Sequence, residues 1–226
     1  MNVPTILRDA WFFYSRHLGA ISRLCLPLIL LESACRHLAA QVAGEQPLPG
    51  QDLLIGLLFY PLYSAALILY VDARSRGYAP GLRQVFNRAL GLWPAMAAVS
   101  AMGTLAILLG ASLFVLPGLW VMIRIAFAEY LLVLRGLPPL AALKESFRLT
   151  RGHFLLLLGC TLVVMAPLWL LDIWVALQME GAEPLPLLPR VALDAAIGLL
   201  QLFATVVLFR CYMLCAAQDA GHERPE

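Results

Sequence analysis

Several ionisable side chains of this chain stand inside long apolar runs, and any chemistry would begin with them. Glu32 and Arg36 are four residues apart in one run, and Arg190 and Asp194 are four apart in another, so each pair can neutralise itself along one helix face. Arg124 and Glu129 are five apart. That spacing puts them on roughly opposite faces of a helix and leaves each in need of a partner from another element. Asp172 falls toward the far end of a fifth run, near the expected level of Arg36 and Arg190, whereas Arg23 and Arg210 fall near the opposite boundary. An ion inside lipid costs at least about 2.5 kcal/mol, so these residues either pair between helices or line a polar interior. Arg124, Glu129 and Gln201 are the candidates for an interior cavity that accepts a lipid head group or solute. The competing expectation is a set of ion pairs that fixes helix packing, with the small residues Ala98, Ala101, Gly103, Ala106 and Gly110 allowing close approach.

No catalytic motif accompanies these charges. Gly110-Ala111-Ser112-Leu113-Phe114 lacks the last glycine of a nucleophile elbow, and no phosphate-binding loop, H-E-x-x-H or C-x-x-C occurs. Cys211 and Cys215 are one helical turn apart, but two further metal ligands are missing nearby in sequence. With Cys25, Cys35 and Cys160 they lie in or beside apolar runs, where a thiol packs as a small hydrophobe. His17, His37, His153 and His222 are scattered, with His17 and His153 near expected bends. A non-enzymatic protein is expected, with no catalytic residue, no cofactor and no metal.

The elements that would position these residues are membrane spans. The chain is 62% hydrophobic and 13% charged, whereas soluble domains are roughly half apolar and about a quarter charged. Its 226 residues suit about six helices of roughly 20 residues in one membrane domain over 1–226. The apolar segments run from about 21 to 40, 53 to 71, 92 to 113, 118 to 134, 154 to 177 and 191 to 214. Pro117-Gly118 should break the chain between the third and fourth. The start of the chain has no short apolar core before a small-residue cleavage site, so an uncleaved first span is expected.

Charge gives sidedness. The connections 41–51 and 178–189 are short and acidic, with Glu45, Glu180 and Glu183. Eleven of the sixteen cations, including Arg8, Arg74, Arg76, Lys144 and Arg224, fall on the other side. Short basic loops stay in the cytoplasm, so both termini are expected there. The net charge of +2 is too small to point to nucleic acid.

Three stretches share a pattern: an amphipathic helix ending in an aromatic residue, with glycine five positions later and an apolar span after it. The pairs are Tyr14 with Gly19, Phe86 with Gly91, and Phe147 with Gly152. Leu82, Val85, Phe86, Ala89 and Leu90 make one helical face, with Arg83, Gln84, Asn87 and Arg88 on the other. Leu140, Leu143 and Phe147 likewise oppose Lys144, Glu145, Arg148 and Arg151, and Leu7, Ala10, Trp11, Tyr14 and Leu18 oppose Arg8, Ser15 and Arg16. Such helices would lie in the membrane interface with their arginines toward anionic phospholipid head groups, and each glycine would make the elbow into the span. The expected fold is thus an all-α membrane protein of six transmembrane helices. They form three parallel repeats, about 4–71, 80–135 and 138–214, each a cytoplasmic elbow helix plus a hairpin, followed by a tail over 215–226.

Four motifs, in this order and spacing, carry a likeness to a known family. They are Leu7-Arg8-Asp9-Ala10-Trp11 with Phe13-Tyr14, Leu116-Pro117-Gly118, the run Leu143-Lys144-Glu145-Ser146-Phe147-Arg148-Leu149-Thr150, and Leu208-Phe209-Arg210-Cys211-Tyr212-Met213-Leu214. Across essentially its whole length the chain resembles the YciC-type bacterial inner-membrane proteins, and more distantly the membrane domain of some glycerophosphodiester phosphodiesterases. The resemblance implies a multi-pass inner-membrane protein tied to envelope or phospholipid homeostasis, acting as a scaffold or lipid-interacting module, and it brings no catalytic residues. The expected partners are membrane lipids, with a homo-oligomer or other membrane proteins as further classes. The alternative expectation is a transporter or channel for a small solute, using a polar interior around Arg124 and Glu129.

Overall fold

The computed structural model describes residues 2–43, 50–179 and 187–222. Among them the secondary structure is helical, without strands: α1 (Val3–Ala43), α2 (Gln51–Ser75), α3 (Leu82–Leu113), α4 (Val115–Ile125), α5 (Ala128–Arg135), α6 (Pro139–Leu149), α7 (Phe154–Met179) and α8 (Leu187–His222). Six helical stretches are long and apolar enough to cross a membrane, with α4 and α5 together supplying one of them. The acidic residues Glu45, Glu180 and Glu183, and Arg224, lie outside the described residues, as does the side chain of Asp172.

Two of the three expected elbows are absent. α1 runs unbroken through Gly19 and α3 through Gly91, and neither glycine has a positive φ. A helix-interior glycine costs only about 1 kcal/mol, less than the several kcal/mol each backbone group loses if a bend in lipid leaves it unpaired. The amphipathic stretch and the span are therefore one helix: α1, with 41 residues, is about 61 Å long, roughly twice the hydrocarbon thickness. The third elbow is real. α6 is a separate helix, and Gly152, at φ 84°, makes the turn into α7.

The amphipathic faces are also rotated from their expected positions. In the amphipathic part of α1 the buried residues are Ile6, Ala10 and Tyr14 while Trp11 and Leu18 are exposed, and in α6 they are Ala142, Ser146 and Leu149 while Leu140 is exposed. Ala10, Ala142 and Ser146, being small, let the backbones approach closely on the buried faces. Tyr14 itself joins helices, its hydroxyl donating to the Leu199 carbonyl oxygen at 2.6 Å.

The expected break at Pro117-Gly118 falls three residues earlier, at Phe114, which is extended at φ −166° and ψ 159°. Proline is tolerated in the first turn of a helix, so Pro117 sits inside α4. Gly118 serves packing instead: a Cβ there would lie 2.9 Å from the Ala111 Cβ, and one on Gly110 would lie 3.0 Å from the Gly118 Cα. These glycines let α3 and α4 form a tight hairpin.

The fourth span does not continue as one helix. It is interrupted at Ala126 and Phe127, and α6 repairs the interruption. Ser146, fully buried, donates from Oγ to the Arg124 carbonyl oxygen at 2.8 Å and accepts from the Phe127 N–H at 3.1 Å. Thr150 adds a longer bond to the same Arg124 oxygen, 3.4 Å. α5 is anchored on its other side to α8, where Phe127 and Tyr130 meet the Tyr212 ring with centroids 5.7 Å away in each case and the Tyr130 hydroxyl donates to the Thr205 carbonyl at 2.8 Å.

Ser146→Ala removes both halves of this bridge and should lower stability by about 1–3 kcal/mol, read as a lower Tm of the detergent-solubilised protein. Gly118→Ala should cost a similar amount, about 1–3 kcal/mol, by forcing the α3–α4 hairpin apart. An unchanged Tm in either variant contradicts the corresponding contact.

Candidate functional site, a cavity around Glu129

The interruption of the fourth span explains how two unlike charges come to sit five residues apart in an apolar run. Arg124 occupies the last turn of α4 and Glu129 the first turn of α5. A helix C-terminus favours a cation and an N-terminus an anion, so each charge is partly offset by its own helix end rather than by the other.

Glu129 is held by hydroxyls. Ser64 donates to its Oε2 at 2.7 Å, Tyr60 to the same oxygen at 3.1 Å, and Ser100 to Oε1 at 3.2 Å. Tyr60 and Ser64 are one turn apart on α2, and Ser100 comes from α3, so three helices converge on one carboxylate. Among the described residues no cation lies within ion-pair distance of it.

The carboxylate borders a cavity of about 590 Å³, within the roughly 300–1,000 Å³ usual for small-molecule sites. Its polar lining includes Glu32, Arg36 and Asp52, with Gly56 beside them, and Glu129, Gln201 and Thr205. Glu32 and Arg36 form the expected pair. Gly56 makes room for it: a Cβ there would come within 3.1 Å of Arg36 Nη2. Apolar wall comes from residues such as Met122, Ile123, Met165 and Leu208, and aromatic wall from Tyr60, Tyr63, Tyr130 and Trp169.

Arg124 does not line this cavity, contrary to the sequence expectation. Its guanidinium carbon lies 5.2 Å from the centre of the Trp120 ring, and Trp120 in turn packs against Phe147. Its Nε and Nη1 are buried with no hydrogen-bond partner. Arg190 and Asp194 are not paired either. Asp194 turns to α1, accepting from Ser33 Oγ at 3.0 Å and meeting His37 Nε2. A partner on a neighbouring helix won over the local one because it ties α8 to α1. Arg210 reaches Asp9 on α1 at 3.4 Å, while Arg23 is exposed.

The elbow arginines divide in the same way. Arg148 bonds to Glu145 and to Asp219 of α8 at 3.0 Å, so it is part of the packing of α6. Arg16, Arg88 and Arg151 are exposed, whereas Phe86 and Phe147 are half-buried. Cys160, Cys211 and Cys215 are buried, and no cluster of three metal-ligating side chains occurs among the described residues. His17 Nδ1 pairs with the Phe13 carbonyl of its own helix, and His153 with Gln218.

Sequence reading missed Asp52, Tyr60, Ser64, Ser100 and Thr205. A signal existed for two of them, because Tyr60 and Ser64 put hydroxyls four apart on one face of an otherwise apolar span. Nothing in sequence pointed Ser100 at Glu129.

Residues 53–220 match the family described as Domain of unknown function (DUF7847). That is well over half of the 226 residues, and the chain belongs to this family. The matched part includes Glu129 and its three hydroxyl donors and begins beyond Glu32, Arg36 and Asp52. No curated protein and no solved structure matches the chain.

Because two buried nitrogens of Arg124 lack partners, Arg124→Met should leave the Tm of the solubilised protein unchanged or raise it. An apolar side chain of similar length removes a desolvated charge while keeping the packing on Trp120. A fall of several degrees would show that Arg124 makes an interaction absent from this arrangement.

Proposed function

We propose that this member of the DUF7847 family is a non-enzymatic multi-pass protein of the bacterial inner membrane that holds an amphiphile between its helices, in the service of envelope or phospholipid homeostasis. The observation that carries this reading is the cavity of about 590 Å³, mostly apolar in its walls, with a hydroxyl-bound carboxylate in its lining. Such a mixed surface suits a molecule with a polar head and an apolar body better than it suits a small hydrophilic solute. The likeness to the YciC-type proteins supports the same assignment.

The basic segments between α2 and α3 and around α6 lie in the cytoplasm in this reading, because Arg74, Arg76, Arg83, Arg135 and Lys144 are retained there. Both termini share that side. The exposed Arg16, Arg88 and Arg151 then meet anionic head groups. The three units of amphipathic segment plus hairpin are parallel repeats about an axis normal to the membrane, with the amphipathic segment fused to the span in the first two.

A specific observation favours passage of a small solute as the second reading. Along α2 the cavity is bordered from Asp52 to Tyr63, roughly 17 Å of helix against a hydrocarbon core of about 30 Å.

Native mass spectrometry of the gently extracted full chain should show one retained amphiphile per protomer, and Gly103→Leu, which introduces bulk against Ile125 at the cavity wall, should release it. Solute flux in proteoliposomes without a retained amphiphile would favour the second reading. A deletion strain should show altered phospholipid composition or permeability under envelope stress; an unchanged strain counts against the homeostatic role. A C-terminal fusion to a fluorescent protein that folds only in the cytoplasm should fluoresce, and a dark but intact fusion would reverse the orientation.

A further inference from the structure

We infer that the cavity selects an amphiphile with an ammonium head, seated on Glu129 with its alkyl part along the apolar wall. This rests on the amphiphile-binding reading above and adds the charge and chemistry of the ligand. Glu32, Asp52 and Glu129 border the cavity, and the only cationic side chain among the described residues there is Arg36, which Glu32 already engages. The lining therefore has an excess of carboxylates, and an anionic head would meet Asp52 and Glu129 with no free countercharge.

Glu129 has acceptor capacity to spare. Its oxygens accept three hydroxyl hydrogen bonds, whereas an ionised carboxylate has about four acceptor sites. One site is left to a ligand, and so is the part of the countercharge that the N-terminus of α5 does not supply. Arg124 does not supply that charge, since it packs on Trp120 away from the cavity lining.

Tyr60 and Tyr63 present rings edge to face with centroids 5.5 Å apart, and Trp169 adds a half-exposed indole to the same cavity. Aromatic faces attract ammonium groups through their quadrupole, by about 0.5–2 kcal/mol. A bare metal ion would use neither these rings nor a space of about 590 Å³.

The shared chemistry is a primary or substituted ammonium on an apolar tail, and it can arrive either as the head of an aminophospholipid or as a free alkylamine. The test uses the purified full chain and three single-chain probes of equal length: dodecylammonium, dodecanol and dodecanoate. Binding is read by native mass spectrometry and by quenching of tryptophan fluorescence. Dodecylammonium should bind at least tenfold more tightly than dodecanol, and dodecanoate should not compete with it. Glu129→Gln, which keeps the shape and one acceptor oxygen, should abolish that preference, so that the variant binds dodecylammonium no more tightly than it binds dodecanol. Equal binding of the three probes, or a preference that survives Glu129→Gln, would overturn the ammonium assignment while leaving an amphiphile cavity in place. If no amphiphile of any charge is retained, both readings fall. The comparison of probes on the unaltered chain decides the matter even where the variant does not fold. In nanodiscs with equal phosphatidylethanolamine and phosphatidylglycerol, enrichment of the former around the extracted protein identifies the bilayer as the source. Dodecylammonium binding without that enrichment identifies a free amine.

Discussion

Inside a bilayer no water is available to replace a missing backbone hydrogen bond, and each unsatisfied group costs several kcal/mol. That constraint bears most heavily on the fourth span, where the helix stops at Ile125 and resumes at Ala128. Ser146 supplies the missing donor and acceptor from α6, and much of the molecule follows from that one side chain. It requires α6 to present a small, buried face, and it fixes α6 against the start of α5. It also turns a helix interior into two helix ends, which can hold a cation and an anion at much lower cost than an unbroken span could. Glu129 is thereby placed against α2 and α3, and the cavity forms beside it.

The remaining intramembrane polar residues act mostly as fasteners between helices distant in sequence. Asp194 with Ser33 and His37, Arg210 with Asp9, and the Tyr14 hydroxyl with Leu199 all join α8 to α1. They close the two ends of the chain on one another. Glu129 differs in kind, because its partners are neutral hydroxyls and it faces a space large enough for a ligand. A charge balanced within the protein needs nothing more, whereas one only partly offset beside a cavity has its free energy lowered by a ligand of opposite sign.

The spans were legible in sequence because hydropathy over some 20 residues is a local property. The local pair of Glu32 and Arg36 was equally readable, being set by helical spacing alone. Arg190 and Asp194 had the same spacing and yet did not pair, since Ser33 and His37 on α1 offered Asp194 a contact that spacing cannot reveal. Gly19 and Gly91 matched Gly152 in sequence pattern but not in conformation. A glycine permits a bend without requiring one, and the helical hydrogen bonds on either side decide.

The sequence by itself determined that this is an all-helical, multi-pass membrane protein, where its long apolar stretches lie, and which segments are basic, because these depend on the composition of contiguous stretches of chain. The tertiary structure alone decided that the fourth span is interrupted and sealed by Ser146, that Glu129 is cradled by Tyr60, Ser64 and Ser100, and that Arg124 leaves the cavity for Trp120. These are contacts between residues up to 69 positions apart, and their energies depend on which helices are neighbours, a property no local pattern encodes.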